Sequence, residues 1–211
     1  MYLLTPRGVS TDAATLWIAA IDEQGGIDHL TLEPRTVGTQ TSGPWQRWPK
    51  QASSQLRVQH REVTISGLSP NTEYSFELRV RGTSAASAKV KTLPEEMPLL
   101  GEKPFTVLLG SCFAHHEDSE CKVGYTFLQM PVPAHPDLKL FAGDQVYLDS
   151  PWYRFMMPYT SQELQDAFLE QYIRTWSQSK GFASLLADGA NYFSSDDHEF
   201  WNNAPIAARM R

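Results

Sequence analysis

The stretch Leu138-Lys139-Leu140-Phe141-Ala142-Gly143-Asp144-Gln145-Val146-Tyr147 decides the fold, because a glycine and an aspartate abruptly close its apolar run. Two other stretches end in the same way. Phe105 to Leu109 is closed by Gly110-Ser111-Cys112, and a short strand-like run leads into Asp196-Asp197-His198-Glu199 and on to Asn202-Asn203. Short apolar runs bounded by turn residues read as strands. In an open α/β sheet the carboxyl ends of neighbouring strands face one crevice, where ligands collect. Cys112, Asp144 and Asp197 are therefore expected to converge.

The chemistry of that set is specific. A thiolate and carboxylates, joined by the phenolate of Tyr147, suit a highly charged cation such as ferric iron beside a divalent one. Around a tight turn Asp144 and Tyr147 can reach the same ion. Two such cations can hold a hydroxide, orient a phosphate and neutralise the charge on attacking and leaving oxygens. Each residue also has a plainer use: Asp144 as a turn or capping residue, Tyr147 as a packed aromatic, Cys112 as a small buried side chain. Their occurrence together favours the site.

The blocks Gly110-Ser111-Cys112, Gly143-Asp144-Gln145-Val146-Tyr147 and Asp196-Asp197-His198-Glu199, in this order, resemble the PhoD-like (alkaline phosphatase D) branch of the calcineurin-type metallophosphatases. The stretch from Arg7-Gly8-Val9-Ser10 to Ala14-Thr15-Leu16-Trp17 resembles the opening of the small β-sandwich that precedes the catalytic domain in that family. The resemblance implies a phosphatase or phosphodiesterase with a binuclear centre of Fe3+ and a divalent cation, Ca2+ being favoured. It implies that Asp144 bridges both metals, that Tyr147 binds the ferric ion and that Asp197 binds the second metal. Cys112 would supply a thiolate where the wider superfamily has an Asp-x-His pair. His198 would face the phosphate, where a histidinium can bond a non-bridging oxygen and protonate the departing alkoxide. Asp196 would orient His198 or cap the following turn, Glu199 and Asn202 would support the ligands from behind, and Asn203 is a candidate oxygen ligand.

The first part of the chain reads differently. Tyr74-Ser75-Phe76-Glu77-Leu78-Arg79-Val80-Arg81 alternates apolar and polar residues, the mark of a half-buried strand. Ser66 to Tyr74 is a turn-rich approach in which Pro70 and Asn71 supply fixed and left-handed backbone angles. The phrase resembles fibronectin type III and related sandwiches. Pro94-Glu95-Glu96-Met97-Pro98 breaks regular structure. The expected organisation is a fibronectin III-like β-sandwich over 1–94, a linker over 95–104, and the first half of an α/β metallophosphatase domain over 105–211. In that second part Thr160 and Glu163 form a capping-box pattern, and Leu164, Phe168, Tyr172, Ile173 and Trp176 fall on one helical face expected to cover the sheet.

Composition sets the remaining bounds. The chain has 211 residues, is 41% hydrophobic and 20% charged, and carries a net charge of -6. With no basic stripe to replace phosphate counterions, a nucleic-acid-binding surface is not expected. No apolar run approaches the ~20 residues of a membrane span. Met1 to Pro6 has no basic region followed by an apolar stretch, so the cytoplasm is the default compartment, with export left open. Two cysteines, Cys112 and Cys121, do not make a disulfide framework, and Cys121 reads as an ordinary thiol. His198-Glu199 does not open a zinc-protease motif, because Asn202 stands where its second histidine belongs. His115-His116-Glu117-Asp118 reads as a solvated loop rather than a separate zinc site. The aromatic stretch Trp152 to Tyr159 fits packing slightly better than pocket lining.

In the family a later Gly-His-x-His block completes both metal spheres. No histidine follows His198 in this sequence, and Ser194-Ser195 stand where the family tends to have an aromatic residue. Two readings follow. In the favoured one the chain is a partial phosphoesterase, and exposed edges of an incomplete domain promote association. The alternative is a non-catalytic remnant or binding module built on the β-sandwich.

Overall fold

The computed structural model describes residues 1–22, 30–34, 38–48, 57–98, 104–114, 117–118, 120–131, 135–147, 160–177 and 181–200, without the side chains of Trp48, Asp197 and Phe200. The expected candidates Asn202 and Asn203, the His115-His116 pair and the Trp152 to Tyr159 stretch lie outside these residues.

The first part is built from β1 (Tyr2–Val9), β2 (Ala13–Ile21), β3 (Leu30–Glu33), β4 (Thr39–Ser42), β5 (Gln46–Trp48), β6 (Val58–Ser66), β7 (Glu73–Val80) and β8 (Thr83–Lys91). One antiparallel sheet has the order β1-β2-β6-β4, with β5 also on β6, and a second has the order β3-β7-β8. Their facing sides share a core in which Leu16, Ile18 and Ile65 of the first sheet meet Phe76, Leu78 and Val90 of the second. The alternation in β7 does this work: Phe76 and Leu78 point inward while Glu77 and Arg79 pair outside at 2.7 Å. The strand ends one residue earlier than its pattern suggests. Arg81 and Gly82 are left-handed, with φ 50° and 83°, and form the tight turn into β8. The Arg79 guanidinium secures that turn by donating to the Gly82 carbonyl at 2.6 Å.

The second part contains β9 (Val107–Gly110), α1 (Lys122–Leu128), β10 (Leu138–Ala142), α2 (Ser161–Trp176), α3 (Phe182–Ala187) and β11 (Ala190–Ser194). The strands form a parallel sheet of order β11-β10-β9. One of its faces packs Phe141 with Phe127, Phe182 and Leu185, under α1 and α3. The opposite face leaves apolar side chains in the open, with Leu109 71%, Val107 47%, Leu140 40% and Tyr192 37% exposed.

No regular element lies between β8 and β9 among the described residues, yet packing crosses that interval. Ala190 of β11 belongs to the core of the antiparallel sheets. Asn191, fully buried, donates from Nδ2 to the carbonyls of Pro6 and Leu186, both at 2.7 Å. α2 differs from expectation in its seat. Its capping box forms, with Glu163 N donating to Thr160 Oγ1 at 3.2 Å and Thr160 N donating to Glu163 Oε2 at 2.7 Å. Its most buried apolar residue is Leu169, which together with Ile173 and Trp176 packs on Trp17, Ala19, Ile21 and Val58. The helix lies on the outer face of the first antiparallel sheet and reaches the parallel sheet through Trp176, stacked on Phe193 at 5.3 Å. Among the described residues no helix is long and apolar enough to cross a membrane.

Candidate functional site

Gly110 stands opposite Phe141, and Ser194 opposite Ala142, so three parallel strands deliver their carboxyl ends to one edge of the sheet. The backbone then turns sharply. Cys112 has φ 59°, and Ser111 Oγ donates to the Ala142 carbonyl at 3.0 Å. Beyond β10, Gly143 and Asp144 are left-handed in succession, at φ 82° and 52°. A Cβ at Gly143 would stand 2.2 Å from Asp196 Cβ, which reserves the position for glycine.

These turns bring four of the expected residues into pairwise contact. Cys112 Sγ donates to Asp144 Oδ2 at 3.4 Å, and His198 N donates to Asp144 Oδ1 at 3.3 Å. The rings of Tyr147 and His198 lie 4.2 Å apart between centroids, tilted by 35°. Asp144 is buried whereas Cys112 is exposed. Asp197 opens the 3-10 turn Asp197–Phe200 that carries His198, and Asp196, exposed, directly precedes that turn. Among the described residues no group of three or more His, Cys, Asp or Glu side chains is gathered closely enough to hold a metal ion.

Glu199 supports Asp144 from behind through backbone amides, partners its position in the sequence does not reveal. Its buried carboxylate accepts from Asp144 N at 2.9 Å, Gln145 N at 2.5 Å, Val146 N at 3.4 Å and Asp196 N at 2.8 Å. Successive N–H groups around a left-handed turn form an anion-binding concavity. Glu199 fills it, and with both oxygens engaged it ties the β10 turn to the turn after β11. The only sequence signal is an acid shortly after a strand that neighbours a Gly-Asp turn.

Two cavities flank the strand ends and share Gln145. One, of about 520 Å³, runs between Gly110-Ser111-Cys112 and α1. The other, of about 550 Å³, lies between α2 and the outer face of the first antiparallel sheet, and includes Trp17 and His60. Nothing in the sequence pattern placed Trp17 or His60 near the site, because their proximity depends on the seat of α2. Burial lowers the pKa of His60, with Glu62 opposing and Arg7 assisting the shift. Tyr172 is pushed up to about 12 by burial and by the charge of Glu199. Both are therefore neutral at pH 7.

No family model and no curated protein matches the chain. The solved structure of PhoD does, with a TM-score of 0.60 and 17% identity, over 95% of this chain and 39% of that one. The chain shares the fold of part of PhoD. At that identity the likeness to PhoD establishes the fold, and the chain spans well under half the PhoD length it is compared with.

Proposed function

We propose that the chain supplies part of the centre of a metal-dependent phosphoesterase of the PhoD-like kind. In this reading the antiparallel sheets over 1–94 are a fibronectin III-like sandwich, residues 95–104 are a linker, and 105–211 contain the first half of a metallophosphatase domain. The observation that carries it is the meeting of Cys112 and Asp144, 3.4 Å apart, at the carboxyl ends of parallel strands beside His198 and Tyr147. A soft thiol, a carboxylate and a phenol form a donor set that fits ferric iron beside a divalent cation such as Ca2+. Cys112, Asp144, Tyr147 and Asp197 would hold the pair, with further donors from polypeptide beyond the described residues. Such a pair, when bound, supplies positive charge to the phosphate and an acidic water.

The chain's own residues have separable tasks. Glu199 fixes the Gly143-Asp144 turn, so the carboxylate is preorganised rather than gathered on binding. His198 would donate a proton to the departing alcohol of a phosphate ester. The alternative, a binding module without turnover, keeps the same fold but gives the Cys112–Asp144 contact no task. The test is retention of iron and calcium by the purified chain after dialysis, with hydrolysis of bis(p-nitrophenyl) phosphate followed in parallel. Metal retained by the wild type and lost in both Asp144→Asn and Cys112→Ser supports the reading. Equal retention in all three contradicts it. Association through exposed edges of the incomplete domain is further proposed.

A further inference from the structure

The cavity beside α2 has a composition the proposed phosphate chemistry does not need. One wall is Trp17 and His60 of the antiparallel sheet, the other is Phe168, Tyr172 and Trp176, one helical turn apart along α2. At its base lie Phe193 and Ser194 of β11, together with Gln145. The aromatic rings are mutually fixed: Trp176 meets Trp17 edge-on at 5.7 Å and 87°, meets Tyr172 edge-on at 5.3 Å and 86°, and stacks on Phe193 at 5.3 Å. Rings held in this way present flat faces and edges that a planar aromatic guest can match.

We infer that this cavity receives a planar, uncharged aromatic group on the alcohol side of a phosphate ester whose phosphate sits at the strand ends; the inference rests on the phosphoesterase reading. Position supports it. Gln145 lines the cavity, directly follows Asp144, and donates from Nε2 to the Ser194 carbonyl at 3.0 Å. The cavity is thus joined to the strand ends by one residue. Charge supports it as well. Trp17 Nε1 donates to His60 Nδ1 at 3.2 Å, so that nitrogen is the acceptor of a neutral ring. Tyr172 keeps its proton, and the lining cation, Arg7, is half-exposed and paired with Glu62 at 2.5 Å. Among the described residues the only charge lining the cavity is already paired, so a charged guest would lie against largely apolar walls, which is costly. Size agrees too, because about 550 Å³ falls within the range of small-ligand sites, roughly 300 to 1,000 Å³.

The test compares 2-naphthol, 2-naphthyl phosphate and glycerol 2-phosphate by equilibrium dialysis with the full chain, metal-free and loaded with iron and calcium. The metal-free chain is expected to bind 2-naphthol, and Phe168→Ala is expected to weaken that binding by about tenfold. Trp17→Ala should act in the same direction, and circular dichroism establishes that each variant is folded. Since Trp17 is also a core residue, Phe168→Ala decides the matter if Trp17→Ala does not fold. Naphthyl and glycerol phosphates bound equally by the loaded chain, or 2-naphthol binding unchanged by Phe168→Ala, overturns the inference. If 2-naphthol binds through Phe168 but metals add nothing to 2-naphthyl phosphate, the cavity stands and the phosphoesterase reading falls.

Discussion

Glu199 shows what a single side chain contributes. Hydrogen bonds to a charged acceptor are worth about 1.5 to 3 kcal/mol, and an orphaned buried N–H costs a comparable amount. Glu199→Gln replaces one acceptor oxygen with an N–H2 group facing amide donors, so a loss of about 3 kcal/mol is expected in urea denaturation. Gly143→Ala meets both a close contact and a positive φ, and is expected to cost about 1 to 3 kcal/mol by the same measurement. Lys139 is a different case. Fully buried beneath α1, it donates to the carbonyls of Asp188 and Gly189, and burial lowers its pKa from 10.5 to about 7 against the pull of Asp188. Between those two values the unfolded chain binds more protons than the folded one, so this group makes stability rise with pH. Its full penalty persists below about pH 7. Relative to Lys139→Met, the wild type should gain stability between pH 7 and 10 by several kcal/mol, at about 1.4 kcal/mol per unit. A flat difference across that range would refute the assignment. The Cys112 and Asp144 positions were legible because glycines punctuate apolar runs. Glu199 was expected behind the ligands, but its partners were not legible, because they are backbone amides brought from another strand.

Among the elements, α2 was legible in its start and not in its seat. Thr160 and Glu163 announce the amino terminus by residue type alone, and the reciprocal hydrogen bonds form as the pattern requires. Thr160→Ala is expected to cost about 1 kcal/mol of stability, read as a lower denaturation midpoint with unchanged slope. The packing face is another matter, since helical periodicity identifies an apolar stripe without naming the sheet it meets. Leu169 goes to Trp17 and Val58, while Phe168 and Tyr172 are left to line a cavity. β7 illustrates the complement: strict alternation located its buried side, but the Arg81-Gly82 turn took the last residue of the pattern because a tight hairpin needs positive φ.

At the scale of the whole molecule, the two parts are joined by more than a linker. Ala190 lies in the core of the antiparallel sheets, and Asn191 bonds Pro6 across the junction. Urea unfolding followed by tryptophan fluorescence and by far-ultraviolet circular dichroism should therefore give coincident transitions; two separated transitions would mean that the parts fold independently. The exposed Val107, Leu109, Leu140 and Tyr192 face predicts concentration-dependent association in sedimentation, relieved by Leu109→Lys. The division into a β-rich first part and a strand-helix second part was readable from periodicity, whereas the junction depends on contacts between residues far apart in the chain. The most direct test of the proposed centre is visible absorption of the chain titrated with ferric iron. A phenolate-to-iron charge-transfer band that disappears in Tyr147→Phe and survives in Tyr172→Phe is expected. Absence of any band, or a band indifferent to Tyr147→Phe, would contradict a metal centre at the strand ends.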